Sequence, residues 1–346
     1  MTQCYFQRHR HVKLIMETHA APATVAQAPV DTDGMLMLKV SRKEIAAQGI
    51  YLFELSAPDG SELPEFTPGS HIVVETPNKM RRSYSLCNAP AERNRYLIAV
   101  KRDEAGRGGS VSMTDEMQAG QRVRVGLPRN EFELSKAAKE FVFIAGGIGI
   151  TPILSMMRHL KQTGDADFKL YYLARDKDSA AFLDEIKTEF PGQVVAHHDH
   201  GERDNAFDLW SVLGTPTRGH VYCCGPKPLM DSVRGMTGHW PSENIHFESF
   251  GAETKSVAEN APFTVRLVKS NETVEVGAAE SILDALRRHG HRVASSCEAG
   301  TCGSCRVGLV AGEVDHRDLV LDEDEQQNEI MICVSRAKSA QLDLDL

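Results

Sequence analysis

A chain of 346 residues with 41% hydrophobic and 25% charged side chains is long enough for two or three ordinary domains, which excludes a peptide-like scaffold, wholesale disorder and collagen-like repetition. A net charge of −9 argues against nucleic acid as the main partner, because phosphate-backbone binding rests on clustered positive charge. Eight cysteines are too few for a disulfide scaffold, yet four of them fall in the last 50 residues.

The first 16 residues hold Arg8, Arg10 and Lys13 and no acid, but no apolar core or A-x-A cleavage site follows, so residues 1–34 read as a disordered tail of a cytoplasmic protein. No apolar run approaches the roughly 18–20 residues of a membrane span. From Met35 to about residue 135, short β-rich runs (Leu36–Val40, Ile50–Leu55, Ile72–Glu75, Tyr96–Val100, Arg122–Leu127) separated by turn residues predict a small antiparallel barrel. Within it, Arg81-Arg82-Ser83-Tyr84-Ser85-Leu86 places guanidinium, hydroxyls and an aromatic ring together, the groups a planar ring system ending in phosphate would use. Gly106-Arg107-Gly108-Gly109-Ser110 then offers backbone donors ahead of a short helix, a second phosphate cradle; each segment alone also fits a surface turn.

From about residue 136 to 251, apolar strands alternate with helical segments (FVFIA/PILSMMRHL, KLYYLA/AAFLDEI, QVVAHH/FDLWSVL, HVYCC/PLMDSVRGM), which predicts parallel βαβ units. Gly146, Gly147 and Gly149 sit where the first strand turns into a helix, with Thr151 expected as N-cap and Pro152 as the first helical residue. Such a turn suits a pyrophosphate, and also any tight bend that needs glycine. Cys224-Gly225-Pro226 opens the last helix in the same manner, so two turns at strand ends point to one crevice. Asp176 follows KLYYLA, where an acid can accept a hydrogen bond from a ribose hydroxyl; Arg175 beside it would have the opposite preference.

Residues 252–261 are polar and aperiodic, a linker by composition, and 262–346 read as a third module with strands FTVRLV and ETVEV, a helix near SILDALRRHG, and strands around Val307 and Met331. Its core feature is Cys297, Cys302, Cys305 and, 28 positions on, Cys333: the C-x4-C-x2-C…C spacing of a plant-type [2Fe–2S] cluster. Structural zinc sites usually pair ligands as two C-x2-C units, and only Cys302 and Cys305 do so. Gly300, Gly303 and Ser304 leave room for backbone N–H groups near sulfur. From Ser256 onward nine Lys/Arg face sixteen Asp/Glu, a net −7, with the acidic run Asp322–Glu325 either a solvated face or a docking surface.

Taken in order, R-x-Y-S, G-x-G-G-S, GGIGITP, CCGP and the cysteine loop resemble the ferredoxin–NADP reductase superfamily, in the branch with a C-terminal ferredoxin module that serves two-component Rieske oxygenases. The resemblance spans residues 35–346 and implies three domains: an antiparallel β-barrel binding FMN, an α/β parallel-sheet NAD domain and an α+β β-grasp ferredoxin. It implies flavin contacts at Arg82, Ser83, Tyr84, Ser85, Ala99, Val100, Lys101, Arg107, Gly108, Gly109, Ser110 and Thr151, with Phe250 stacking on the flavin face. Gly146, Gly147, Gly149, Asp176, Cys224, Gly225 and Pro226 are the expected NADH contacts, and the cysteines hold the cluster. The implied chemistry needs no acid–base dyad: a hydride reaches the flavin and electrons leave singly through the cluster, near Thr151, Ser85 and Phe250, with Glu248 a candidate hydrogen-bond partner. The implied partner of this monomer is a Rieske-type oxygenase acting on phthalate; a vanillate-type O-demethylase is the alternative, and an electron carrier without NADH turnover the competing class.

Overall fold

The computed structural model describes residues 30–31, 34–250, 260–278, 280–295, 298, 300, 302–318 and 320–346. The expected tail up to residue 29, most of the expected linker and Cys297 lie outside the described residues.

The first sheet holds β1 (Met35–Ala47), β2 (Ile50–Ser56), β3 (His71–Glu75), β4 (Arg81–Ser85), β5 (Tyr96–Lys101) and β6 (Arg122–Gly126), with helix α1 (Gly109–Glu116) inserted before β6. Its strands are antiparallel in the order β4-β3-β6-β1-β2-β5, and a bridge between Leu86 and Ile98 brings the two outer strands together as a barrel. β1 runs well past Val40 because register shifts at Val40/Arg42 and Ile45/Ala47 let it bend with β2. Alternation along β2 and β5 explains their near-continuous apolar sequences. Phe53, Leu55, Tyr96, Ile98 and Val100 fill the barrel, while Ile50, Leu52, Leu97 and Ala99 face outward onto the next domain.

That domain contains β7 (Glu140–Gly146), α2 (Ile150–Thr163), β8 (Asp167–Ala174), α3 (Leu183–Glu189), β9 (Val194–His198), α4 (Trp210–Leu213), β10 (His220–Cys224), α5 (Lys227–Met236) and β11 (Ile245–Glu248). All five strands are parallel, in the order β11-β10-β7-β8-β9. Ile153, Leu154 and Met157 of α2 and Ile186 of α3 cover one face of the sheet; Leu213, Met230 and Val233 cover the other. The outward face of the barrel joins the first of these clusters, so the two domains share a core. The chain expected as a helix at FDLWSVL forms only the single turn of α4, with Leu213 its buried residue.

The last module contains β12 (Phe263–Leu267), β13 (Glu272–Val276), α6 (Ile282–Arg288), β14 (Arg306–Ala311), β15 (Val314–Asp315), β16 (Glu329–Met331), β17 (Arg336–Ala337) and β18 (Gln341–Leu344). Its main sheet runs β13-β12-β18-β14-β16, with β12 and β18 parallel, and β15 pairs with β17. α6 starts at a capping box, the Ser281 hydroxyl accepting from the Asp284 amide (3.1 Å), and buries Ile282, Leu283, Ala285 and Leu286 against the sheet. Among the described residues no helix is long and apolar enough to cross a membrane.

Candidate functional site

The parallel sheet has its topological switch between β7 and β10, since β8 and β9 lie to one side of β7 and β10 and β11 to the other. Ligands of such sheets bind outside the carboxyl ends of the strands at that switch, which is where both glycine turns lie. Gly149 shows why the residue type is fixed: a Cβ there would lie 2.2 Å from the Cys224 carbonyl oxygen and 2.8 Å from the Gly225 nitrogen. A Cβ on Gly146 would meet Pro226 at 2.6 Å. The two turns therefore touch backbone to backbone and lie together outside the strand ends at the switch.

The helix start needs correction. Thr151 is not the N-cap and Pro152 not the first helical residue: a 3-10 turn over Gly147–Gly149 passes directly into α2, whose N-cap is Gly149 and whose first residue is Ile150. Thr151 is buried, with its hydroxyl donating to the Ile148 carbonyl (3.1 Å). α2 thus starts without a side-chain cap, and its first amide, that of Ile150, donates to the Gly147 and Ile148 carbonyls of the 3-10 turn. Asp176 stands just beyond β8; its carboxylate accepts from the Ser179 amide (2.8 Å), and these bonds hold its pKa below the ordinary value, so it stays ionised. Cys223 and Cys224 are fully buried in β10, and burial pushes both thiols up, which fits packing and not redox chemistry.

In the barrel, the Leu86–Ile98 bridge is the ladder contact between β4 and β5 among the described residues. Beyond it the strands part, with Arg82–Ser85 on one edge and Ala99–Lys101 on the other. The Val100 side chain lies in the barrel core, Ala99 packs against Ile50 and Ala181, and Lys101 is exposed, so what this stretch presents to the opening is main chain. The turn leading into α2 packs against β5, which brings the nucleotide crevice to the same opening.

At the far end of the opening stands the N-terminus of α1. Gly108 is its N-cap, in the left-handed region, with no side-chain cap and no acid in the first turn. The Arg82 side chain lies across this start: a Cβ on Gly109 would meet its Nε at 2.7 Å. Arg82 donates to the Arg81 carbonyl and to the Met80 sulfur. Burial and the like charge of Arg107 hold its pKa down at about 10. Asp284 and Glu298 lie within electrostatic reach of Arg82, but among the described residues neither guanidinium is hydrogen-bonded to a carboxylate, and two such cations beside an uncapped helix start are what a phosphate would complete. The Tyr84 hydroxyl is buried with no hydrogen-bond partner, so a hydroxyl-bearing or carbonyl-bearing ligand in the opening would satisfy it. The residues present therefore fit a flavin.

Glu248, at the end of β11, reaches across from the other domain. The Ser85 hydroxyl donates to its Oε2 (3.4 Å), and burial, with the like charge of Glu131, pushes its pKa up to about 8. Phe250 has 45% of its surface exposed, so it is not part of a core at the domain end and its ring is open to a ligand. Sequence reasoning missed Arg158 of α2, which donates to the Cys87 carbonyl (2.8 Å) and bonds Glu189 (3.2 Å), tying the nucleotide helix to the barrel. A lone helical arginine carries no motif that would have marked it.

In the last module Cys305 and Cys333 are buried side by side, the Cys333 thiol within hydrogen-bond reach and holding the Cys305 thiol below its ordinary value. Cys302 is less buried and bonds the Ser304 hydroxyl (3.3 Å). Gly300 has a φ of +73° and a Cβ there would strike Val334 at 2.6 Å, so the loop closes on the Cys333 segment only with glycine at that position. The fold thus brings Cys305 and Cys333 of two separate segments together, with Cys302 within electrostatic reach of Cys305, although among the described residues no three such side chains already converge as ligands of one ion. The thiol chemistry of these expected ligands suits an iron–sulfur cluster.

Three family models match the chain in order: an oxidoreductase FAD-binding domain over residues 37–134, an oxidoreductase NAD-binding domain over 143–235, and a 2Fe-2S iron-sulfur cluster binding domain over 265–338. The chain is 57% identical over 316 residues to the phthalate 4,5-dioxygenase oxygenase reductase subunit of Pseudomonas putida, covering 91% of this chain and 98% of that protein. It is 40% identical to the vanillate O-demethylase oxidoreductase of Pseudomonas putida, over 89% and 98% of the two chains. Among solved structures, phthalate dioxygenase reductase superposes with a TM-score of 0.87 at 56% identity, covering 91% of this chain and 98% of that one.

Proposed function

Because this chain belongs to the family of three-domain oxygenase reductases, with flavin-binding barrel, NAD-binding domain and C-terminal iron–sulfur module, we propose that it is the NADH-dependent, FMN-containing reductase of a Rieske-type phthalate dioxygenase. The observation that carries this reading is the meeting of three sites at one opening: the nucleotide crevice at β7 and β10, the gap between β4 and β5, and the cysteine segments beside α1. When bound, the flavin accepts the two electrons of a hydride and gives them up one at a time to a [2Fe–2S] cluster.

The chain's own residues do the rest. The Gly146–Gly149 and Cys224–Pro226 turns present main chain to a dinucleotide, and ionised Asp176 favours a ribose hydroxyl over a 2′-phosphate, which supports NADH. Arg82, Arg107 and the start of α1 bind the flavin phosphate. FMN in place of FAD is supported by what abuts this cradle: Arg107 bonds the Cys333 carbonyl and Arg82 faces Asp284 and Glu298, ground that an adenylate half would have to share. Ser85 and protonated Glu248 place a hydroxyl and a proton store beside the flavin ring. The cluster is held by Cys302, Cys305 and Cys333, with Cys297 the fourth ligand. Phthalate as the partner's substrate is supported by the step from 57% identity to about 40% among reductases named for other oxygenases.

The test is direct. The purified protein should show flavin and iron–sulfur absorbance, release FMN and not FAD on acid extraction, bleach with NADH faster than with NADPH, and support turnover of a phthalate dioxygenase in preference to a vanillate demethylase. Absence of NADH bleaching in flavin-replete protein overturns the reductase assignment.

A further inference from the structure

The phosphate cradle of the barrel is also the surface on which the iron–sulfur module sits. Arg107 donates from Nη1 to the Cys333 carbonyl (3.4 Å). Arg129, in the chain leaving β6, donates to the carbonyl of Ser295, two residues ahead of Cys297. Both acceptors are main-chain oxygens of the cysteine segments, and both donors are fixed-charge guanidiniums on the flavin domain. The ground between is electrostatically matched, since Asp284 and Glu298 both act on Arg82. Glu298 is held in place by Arg287 (2.7 Å). Arg336, three residues after Cys333, lines the same small gap as Arg107 and donates to the carbonyls of Glu280, Ala261 and Gly277, so it adds positive charge near Arg107 without competing for Cys333.

Arg107 therefore stands between two like charges, Arg82 on the cradle side and Arg336 on the module side, and donates to the neutral Cys333 carbonyl. An anion in the cradle removes the first repulsion and holds the guanidinium where it meets Cys333. We propose that Arg107 and Arg129 are positioning residues that form a two-point latch between flavin domain and iron–sulfur module, and that the latch closes fully only when a phosphate-bearing flavin fills the cradle. The inference rests on the reading of that cradle as the flavin-phosphate site. It makes the spacing of the two redox sites depend on the flavin being bound through its phosphate.

The test uses the full-length protein with its cluster. Amide exchange of residues 331–335 should be slow with FMN bound, rise about tenfold or more when the flavin is removed, and return with FMN but not with riboflavin, which lacks the phosphate. In FMN-loaded protein, Arg129→Gln should leave NADH bleaching of the flavin unchanged, slow reduction of the cluster about tenfold, and raise the same amide exchange, with Arg129→Lys restoring part of each. Equal protection with FMN, riboflavin and no flavin overturns the dependence on phosphate. An Arg129→Gln protein with native exchange and native cluster reduction overturns the latch. If that variant does not fold, the flavin-removal comparison and Arg129→Lys decide the same question. A wild-type protein that NADH fails to bleach would instead overturn the reductase reading and leave the exchange comparison standing.

Discussion

Replacing Glu248 by glutamine removes an acid that the fold keeps uncharged while preserving its shape and the oxygen that the Ser85 hydroxyl reaches. Burial and the neighbouring charge of Glu131 raise the folded-state pKa from 4.5 to about 8. The native protein therefore holds a proton that the unfolded chain releases. That contribution to stability is complete below about pH 4.5 and is lost as the pH rises through about 8. Each pH unit in the window removes about 1.4 kcal/mol, a ceiling of about 4–5 kcal/mol, and partial solvent access reduces the expected loss to about 2 kcal/mol. Glutamine has no proton to lose, so the variant should lack this slope. Chemical unfolding of wild type and Glu248→Gln at about pH 5.5, 7 and 9 isolates the term, because other titrating groups cancel in the difference. Wild-type stability should fall relative to the variant by about 2 kcal/mol from the lowest to the highest pH. A difference that stays flat, or that grows in favour of wild type, refutes the claim that Glu248 is protonated at neutral pH.

Gly149→Ala forces a methyl group to 2.2 Å from the Cys224 carbonyl, so the two nucleotide turns must separate by about an ångström; KM for NADH in ferricyanide reduction should rise about tenfold to hundredfold. An unchanged KM would mean that the crevice does not bind the dinucleotide. Arg82→Gln removes one of the two cradle cations and should weaken flavin retention about tenfold to hundredfold, read from the fluorescence of released flavin. Ser281→Ala deletes the α6 cap and should cost the iron–sulfur module about 1 kcal/mol, seen as an earlier loss of cluster absorbance on heating, with NADH affinity untouched. Given sixteen acids against nine bases from Ser256 onward, reduction of the partner oxygenase should slow as salt rises, and a rate indifferent to ionic strength excludes electrostatic steering by this module.

Chemistry that depends on short spacing was readable from the chain alone. The C-x4-C-x2-C loop, the Gly146–Gly149 turn and the strand periodicities of the barrel and the parallel sheet are local, because backbone geometry and thiolate reach operate over a few residues. The same locality explains the error at Thr151: a strong N-cap residue followed by proline signals a helix start, but the tight 3-10 turn against Cys224 had already begun the helix at Ile150. What the tertiary structure alone decided is which distant groups share one environment. Ser85 and Glu248 lie 163 positions apart, and the pKa of Glu248 is set by desolvation that no sequence window expresses. Arg82 against Gly109 arises only when the barrel closes, and Arg107 on the Cys333 carbonyl and Arg129 on the Ser295 carbonyl only when barrel and module pack. Burial and like-charge proximity are properties of the packed whole, so the flavin, NAD and 2Fe-2S domains were legible in the chain, but the contacts between them were not.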